Sequence, residues 1–380
     1  MKFQVNRDVL SEAVSFAVRL LPQRTSTPIL GGILIEADAN ALRLSVFDHE
    51  VSAQAEIIAK VESSGRALVS GRLLSDIASK LPNAPVEFNL DGSKVHVTCG
   101  STKFALAIMD VAAYPTLPEI PVISGSVSGE TFATAVHQVA IAAMKDDVQP
   151  IYSAVQIETT DKEISLLATD KYRMALCELP WKANAGAEGQ SVLVPARTLL
   201  EVAKTFANQG EISVSIINND ERQMIAFQAN NRSVTALLIK GNYPPIKSMF
   251  PTELENFTVV SKADLLESTR RVMLVVQRDN ALKYSFGESS IELESMGNET
   301  AQASENIPAE LTGDDNILAL KPQYLIDGLA GVHTEFVKIG FTRNADNPNK
   351  PSPVLITSHA AKDKSDNYRY LLQPNLLVLR

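Results

Sequence analysis

Only two cysteines, Cys99 and Cys177, occur in 380 residues, too few for a disulfide framework. Both stand inside apolar runs, so they are expected to be reduced core residues of a cytoplasmic protein. No apolar run approaches the roughly 20 residues of a membrane helix. The opening "MKFQVNRDVL" lacks the apolar centre of a secretory signal, so no membrane partner is expected. Nucleotide cradles are missing too: there is no G-x-x-x-x-G-K-[ST], and no G-x-G-x-x-G between a strand and a helix. The histidines His49, His96, His137, His333 and His359 are scattered and show no metal-ligand spacing. No G-x-S-x-G elbow appears either. No metal, cofactor or catalytic residue is therefore expected.

Positive charge is in short supply. Lys and Arg total 35 against 44 Asp and Glu, a formal net charge of −9. That balance argues against a protein that grips nucleic acid along its whole outer surface, but it leaves room for a local basic face.

What the chain does have is repetition. Its 45% hydrophobic and 21% charged composition is that of a globular protein, and its length points to two or three domains. The stretch "SGRLLSDIASKL" (70–81) places Leu74, Ile77, Ala78 and Leu81 on one helical face. "PARTLLEVAKTF" repeats the pattern with Leu199, Val202, Ala203 and Phe206, and "KPQYLIDGLAGV" with Leu325, Gly328, Leu329 and Val332. The spacing of about 125 residues is that of a whole domain.

An earlier helix recurs at the same interval. Its first copy carries Leu10, Ala13, Val14, Ala17 and Leu21; its second carries Phe132, Ala135, Val136, Val139 and Ala143. In the third copy Leu265, Val272 and Val276 hold the face, while Ser268 and Thr269 interrupt it. Alternating segments with Asp, Asn and Gly turns lie between and after the helices and read as antiparallel strands. The first two copies end alike, "AAYPTLPEIP" against "GNYPPIKSMFP", and these proline-rich pieces make natural linkers. The expected fold is α+β: three repeated domains, 1–123, 124–251 and 252–380, each with two helices packed on antiparallel sheets.

The most reactive-looking cluster is Asp48-His49-Glu50, which would serve a hydrolase built on Asp48 and His49. The matching repeat position, Asp170, has neither flanking residue, which favours a polar strand end. Internal symmetry without a catalytic signature suits assemblies that close head to tail.

"MKF.V.R..L", "RTSTPILGGILIEA", "LLATDKYRMAL", "GNYPPIKSMFP" and "YRYLLQP" occur in this order along the whole chain. Together they resemble the β subunit of bacterial DNA polymerase III, the sliding clamp. The resemblance implies the DNA-clamp fold and a head-to-tail homodimeric ring around duplex DNA. Held by topology and blind to sequence, such a ring tethers the replicative polymerase, confers processivity and has no enzymatic activity of its own.

It implies three groups of residues. DNA-facing candidates are Arg24, Arg72, Lys145, Arg197, Arg270, Arg271 and Arg278. Partner peptides from the polymerase catalytic subunit, the clamp loader and other clamp-binding proteins would dock on a groove between the second and third domains. Its residues would be Tyr152, Thr169, Lys171, Tyr172, Arg173, Met174, Pro244, Ser248, Met249, Leu371, Leu372, Gln373, Pro374, Asn375 and Leu376. The subunit interface would use Lys103 and Phe104 against Val275 and Val276, with acidic neighbours Glu299 or Glu305. Three departures bear on peptide preference: Lys171 stands where glycine is frequent, Ser248 where a long basic residue occurs, and the chain reads "QPNLLVLR" at its end. They motivate an alternative, a specialised or duplicated clamp with altered partners in repair or drug tolerance.

Overall fold

The computed structural model describes residues 1–21, 27–146, 148–184, 189–251, 254–276, 280–295, 301–341, 352–359 and 367–376. The order strand, helix, strands, helix, strands runs through it three times. The first copy opens with β1 (Lys2–Val5), α1 (Arg7–Arg19), β2 (Gly32–Asp38), β3 (Ala41–Phe47) and β4 (Val51–Ile58). It continues with β5 (Lys60–Ser63), β6 (Gly65–Ser70), α2 (Gly71–Lys80), β7 (Val86–Asp91), β8 (Lys94–Cys99) and β9 (Thr102–Ala107).

The second copy holds β10 (Gly125–Ser128), α3 (Gly129–Ala140), β11 (Ala154–Thr159), β12 (Glu163–Thr169) and β13 (Arg173–Pro180). After these come β14 (Lys182–Ala183), β15 (Ser191–Pro195), α4 (Ala196–Phe206), β16 (Glu211–Asn218), β17 (Gln223–Ala229) and β18 (Arg232–Leu237). The third has β19 (Phe257–Ser261), α5 (Lys262–Val272), β20 (Leu282–Phe286), β21 (Ser290–Ser295) and β22 (Ser304–Thr312). It closes with β23 (Asn316–Leu320), α6 (Pro322–Ala330), β24 (Phe336–Phe341), β25 (Val354–His359) and β26 (Tyr368–Leu372).

Local chemistry explains where the helices begin. The side chain of Asn6 accepts from the N–H groups of Asp8 and Val9, Ser70 from Leu73 and Ser261 from Asp264, each satisfying a first-turn donor. The apolar stripes are buried as their period requires: Leu74, Leu199, Val202, Ala203, Phe206, Leu325 and Leu329 have almost no exposed surface. Ser268 and Thr269 do not break the α5 face as their polarity suggests. Both are fully buried, and the Thr269 hydroxyl lies 3.2 Å from that of Tyr284. Cys99 and Cys177 are buried, and the Cys99 thiol reaches the Pro82 and Ala84 carbonyls.

The chain forms two compact units, and they cut across the repeats. One contains Met1–Ala133, Trp181–Gln190 and Arg197–Leu238; the other contains the remainder. In the first unit a five-stranded sheet runs β5-β1-β7-β8-β9, and a nine-stranded sheet runs β14-β10-β16-β17-β18-β4-β3-β2-β6. The second unit holds a twelve-stranded sheet, β15-β11-β12-β13-β26-β25-β24-β19-β22-β21-β20-β23. All the named strand pairs are antiparallel. Two of them join consecutive copies: β18 pairs with β4 (Arg232↔Ala55 to Ala236↔Val51), and β26 pairs with β13 (Leu372↔Arg173 to Tyr368↔Cys177). The last strand of one copy thus completes the sheet of the copy before it.

The repeat reaches down to single turns. Between β3 and β4 the Asp48 carboxylate accepts from the N–H groups of Glu50 (3.0 Å) and Val51 (2.7 Å), and His49 has φ 77°. Between β12 and β13 Asp170 accepts from those of Tyr172 and Arg173, both at 3.1 Å, and Lys171 has φ 79°. These are Asx-capped turns, and the Asp48 carboxylate is occupied in holding one. The two Tyr-Pro segments match as well. The Phe47 N–H donates to the Tyr114 hydroxyl (2.8 Å), and the Thr169 N–H to that of Tyr243 (3.0 Å). Burial pushes the Tyr114 phenol up to about 12 and raises Tyr243 further, so both remain neutral acceptors.

One helical position yields a test of sign. A Cβ at Gly328 in α6 would stand 2.6 Å from the Tyr370 ring, which is fully buried and whose hydroxyl donates to the Tyr324 carbonyl (2.8 Å). Alanine is the better helix former by about 1 kcal/mol, yet Gly328→Ala is expected to lower the thermal midpoint because the ring has nowhere to go. A raised midpoint in differential scanning calorimetry would show that the α6–β26 contact yields.

Candidate functional site

Beneath the Asp170 turn lies an apolar cluster of Leu167, Met174, Leu176, Phe250, Leu355 and Leu371, with Tyr243, Ile246 and Leu254 packed against it. Where this cluster meets the surface it leaves a cavity of about 240 Å³. The walls are Tyr152, Thr169, Lys171, Tyr172, Arg173, Met174, Pro244, Ile246, Met249, Pro353, Leu371 and Gln373. Five stretches supply them: the residue Tyr152 before β11, the β12–β13 turn with its flanking strand ends, the segment after β18, Pro353 before β25, and the end of β26. Strand alternation explains the spacing, since Met174 on β13 pairs directly with Leu371 on β26.

Ten residues expected from sequence therefore line one cavity: Tyr152, Thr169, Lys171, Tyr172, Arg173, Met174, Pro244, Met249, Leu371 and Gln373. Ser248, Leu372, Pro374, Asn375 and Leu376 are not among its walls. Leu372 is fully buried, the Ser248 hydroxyl donates to the Pro245 carbonyl (3.1 Å), and Leu376 is exposed. Ile246 and Pro353 line it without having been singled out. Ile246 sits two residues beyond Pro244 in the same segment, a signal available in the sequence. Pro353 precedes β25, and only the β25–β26 pairing places it there.

The polar floor is Arg173. Its Nε donates to Asp170 (2.9 Å), one terminal nitrogen donates to Asp327, and the same nitrogen reaches the Tyr370 hydroxyl (3.3 Å). Its guanidinium also lies 4.4 Å from the Tyr324 ring centroid. Burial opposes the charge, but Tyr370, Asp327 and Asp170 outweigh it and hold the group above its ordinary value. Around the rim Tyr172 stacks on Tyr324 (6.3 Å between centroids), with the Lys321 ammonium near both rings. The Lys171 ammonium lies over Tyr152 (4.8 Å). Tyr172 and Met249 are more than half exposed, which is unusual for such large apolar surfaces. An apolar trough with aromatic walls and a few fixed polar groups can hold an extended peptide by aliphatic or aromatic side chains.

The basic residues are dispersed. Arg72 and Arg197 occupy the second position of α2 and α4 and are exposed; in α6 that position is Gln323, which donates to Asp327 (2.7 Å). Lys145 is exposed next to Asp146. Arg270 and Arg271 end α5, paired with Glu267 (2.9 Å) and Glu305 (2.5 Å) respectively. Arg24 and Arg278 lie outside the described residues, as does Glu299. On β9, Lys103 and Phe104 are exposed; after α5, Val275 and Val276 are half-buried beside Leu274, which is 82% exposed.

Three family models match in succession: the N-terminal domain of the DNA polymerase III beta subunit over residues 1–118, its central domain over 126–245 and its C-terminal domain over 247–366. A protein of Streptomyces coelicolor named beta sliding clamp is 39% identical over 377 residues, covering 98% of this chain and 99% of its own. A beta sliding clamp of Micrococcus luteus is 44% identical over 311 residues, 82% of this chain and 100% of its own. Among solved structures, the DNA polymerase sliding clamp of Bacillus subtilis superposes with a TM-score of 0.88 at 25% identity, covering 99% of both chains.

The groove yields a second test of sign. A non-glycine residue at φ 79° costs about 1–2 kcal/mol, while glycine gives back about 0.5–1 kcal/mol in unfolded-chain entropy. Lys171→Gly is therefore expected to stabilise the chain by up to about 1 kcal/mol, seen as a higher thermal midpoint. A lower midpoint would mean that the Lys171–Tyr152 contact outweighs the backbone strain.

Proposed function

The chain belongs to the DNA polymerase III beta subunit family, and from that premise we propose how this sliding clamp closes, carries DNA and receives its partners. The protein acts by geometry and confers processivity on the replicative polymerase.

Closure is supported by the strand pairing. Twice in the chain the last strand of one copy completes the sheet of the preceding copy, β18 on β4 and β26 on β13. Among the described residues the same operation leaves one strand of each kind over: β9, last of the first copy, and the Ser304–Pro308 half of β22 in the third. Phe104 on β9 is 37% exposed, whereas Val234 on β18 and Tyr370 on β26 at the corresponding place are 0% exposed. A second subunit bringing its β22 to β9 would cover Phe104 and satisfy the open edge, and the reverse pairing would close a head-to-tail homodimer. The three domains of each subunit divide at 1–123, 124–251 and 252–380. Val275, Val276 and the exposed Leu274 form the apolar side of the seam, with Glu305 as its acidic neighbour and Lys103 as the charge brought by the partner's β9 edge.

Duplex DNA is held through Arg72, Arg197 and Lys145 in the phosphate-contacting role, with Arg24, Arg270, Arg271 and Arg278 as further contributors. Ion pairing to Glu267 and Glu305 lowers the charge that Arg270 and Arg271 offer. Such contacts are independent of sequence and weakened by salt, as sliding requires. The trough above Arg173 receives a short peptide shared by the polymerase catalytic subunit, the clamp loader and other partners, with Ser248, Leu372, Pro374, Asn375 and Leu376 as supporting residues. Work on chromosomal DNA sets the protein in the bacterial cytoplasm.

The observation that carries this reading is full-length family membership together with strand pairing that a second copy would complete. To test it, the protein is loaded onto nicked circular duplex with a clamp loader and ATP, then passed over a sizing column at high salt before and after linearisation. Retention on circles and loss from linear DNA is expected; equal retention on both would mean direct affinity and overturn topological binding. The seam is tested separately by sedimentation equilibrium: Phe104→Glu with Leu274→Glu is expected to yield folded monomers. An unchanged dimer would move the interface elsewhere.

A further inference from the structure

A cavity of about 370 Å³ lies where the end of α3 meets the end of α6, within the second compact unit. Thr134, His137, Gln138 and Ile141 line it from the α3 side, and Ala330, Gly331 and His333 from the α6 side. The buried Gln138 fastens the two sides, its Nε2 donating to the Gly331 carbonyl (2.7 Å). Both imidazole-bearing residues are exposed. Neither the peptide trough nor the subunit seam uses them.

The internal repeat gives this place a counterpart in the first unit. Aligning the apolar stripes sets Phe16 of α1 against Gln138, and Phe206 of α4 against Val332. Phe16 and Phe206 pack edge to face with 6.4 Å between centroids, so α1 meets α4 as α3 meets α6. Beside that aromatic pair stand two exposed cations, Arg19 and Lys204. Their matching positions in the second meeting are Ile141 and Ala330, both in the cavity wall. The permanent charges are gone, and the basic groups at this place are His137 and His333. In α5 the position of His137 is Arg270, already a DNA-facing candidate.

Little among the described residues competes for the two rings. The described lining contains no carboxylate. On α3, Glu130 stands about two turns before His137, and Lys145 and Asp146 follow beyond Ile141. Behind Gln138, the Cys177 thiol of β13 reaches its Oε1 (3.6 Å). Asp327 of α6 is taken by Arg173 and Gln323. Next to His333, the Lys262 ammonium at the start of α5 donates to the Val332 carbonyl (2.8 Å). Glu335 is exposed two residues on, and the His359 N–H at the end of β25 donates to the Thr334 hydroxyl (3.3 Å).

We propose that this cavity is a phosphate-contact site for duplex DNA, where His137 and His333 meet phosphodiester oxygens and make the grip on DNA depend on pH. The proposal rests on the DNA-holding reading above and adds to it two contacts and a titration. Imidazole can donate a hydrogen bond to phosphate in either form, but only imidazolium adds charge, and a nearby phosphate favours that form. Affinity is therefore greatest at the acid end and falls as rising pH removes the two protons. Arginine and lysine keep their charge through this range, so the Arg19 and Lys204 side of the repeat supplies a constant background.

The test measures fluorescence anisotropy of a short labelled duplex titrated with the full-length protein at about pH 6 and about pH 8. Binding is expected to be roughly three- to tenfold tighter at the lower pH in low salt. The slope of log affinity against log salt should also steepen there, by about 0.9 for each added charge. His137→Gln with His333→Gln is expected to abolish both differences while keeping the affinity seen at the higher pH. His137→Arg with His333→Arg should hold the tighter value at both. His96→Gln, an exposed imidazole on β8, should leave the response as it is. Affinity that ignores pH, or a response that survives the double glutamine variant, would overturn the histidine contacts and leave the DNA reading standing. So would failure to bind the duplex by protein still retained on nicked circles. Failure in both assays would overturn the DNA reading and this proposal with it.

Discussion

Arg173 is the residue on which the groove depends. Its side chain ties Asp170, at the turn of the second copy, to Asp327 and Tyr370 of the third. One cation therefore holds both sides of a joint that is otherwise strand pairing and apolar packing. Such a buried network is strong evidence of specified geometry and weak evidence of net stability. Exchanging it whole for apolar side chains is often neutral, whereas removing one partner costs about 3–5 kcal/mol because charge is stranded. Here the surrounding groups leave little stranded: Asp170 also caps its own turn, and Gln323 donates to Asp327. The trough walls above Arg173 are shaped by that satisfied floor.

Much of the fold was legible in the sequence because the same constraint is written three times. Leu74, Leu199 and Leu325 announce one helix, and their near-zero exposure follows from the period of the pattern. Asp48 and Asp170 show how far repetition reaches, since comparing the two positions separates a turn-forming carboxylate from a catalytic one. The sequence misled at Ser268 and Thr269. Polarity there predicts a weakened helix face, whereas Tyr284 supplies a buried hydroxyl to meet Thr269. A hydrogen-bond partner 15 residues away leaves no periodic trace.

The site was legible in part. Residues on the β12–β13 turn and at the end of β26 come together because register is fixed by the hydrophobic alternation of both strands. Pro353 escaped notice since it enters through β25, and no motif marks it. The boundaries between compact units were the least accessible feature. Proline-rich linkers mark covalent joints, but sheet pairing carries β18 and β26 across those joints, so compactness follows hydrogen bonds in place of chain order.

Strand exchange between copies also changes what kind of problem assembly is. A single repeat cut from this chain would carry one edge to give and one to receive, and could satisfy them only by collisions in solution. Joining repeats through short linkers turns those encounters into intramolecular ones, at effective concentrations in the millimolar range. The β18–β4 and β26–β13 joints are then insensitive to dilution. Any pairing through β9 stays subject to mass action. Covalent economy thus separates the joints inside the chain, which are permanent and set by the gene, from any joint between chains, whose occupancy would follow protein concentration.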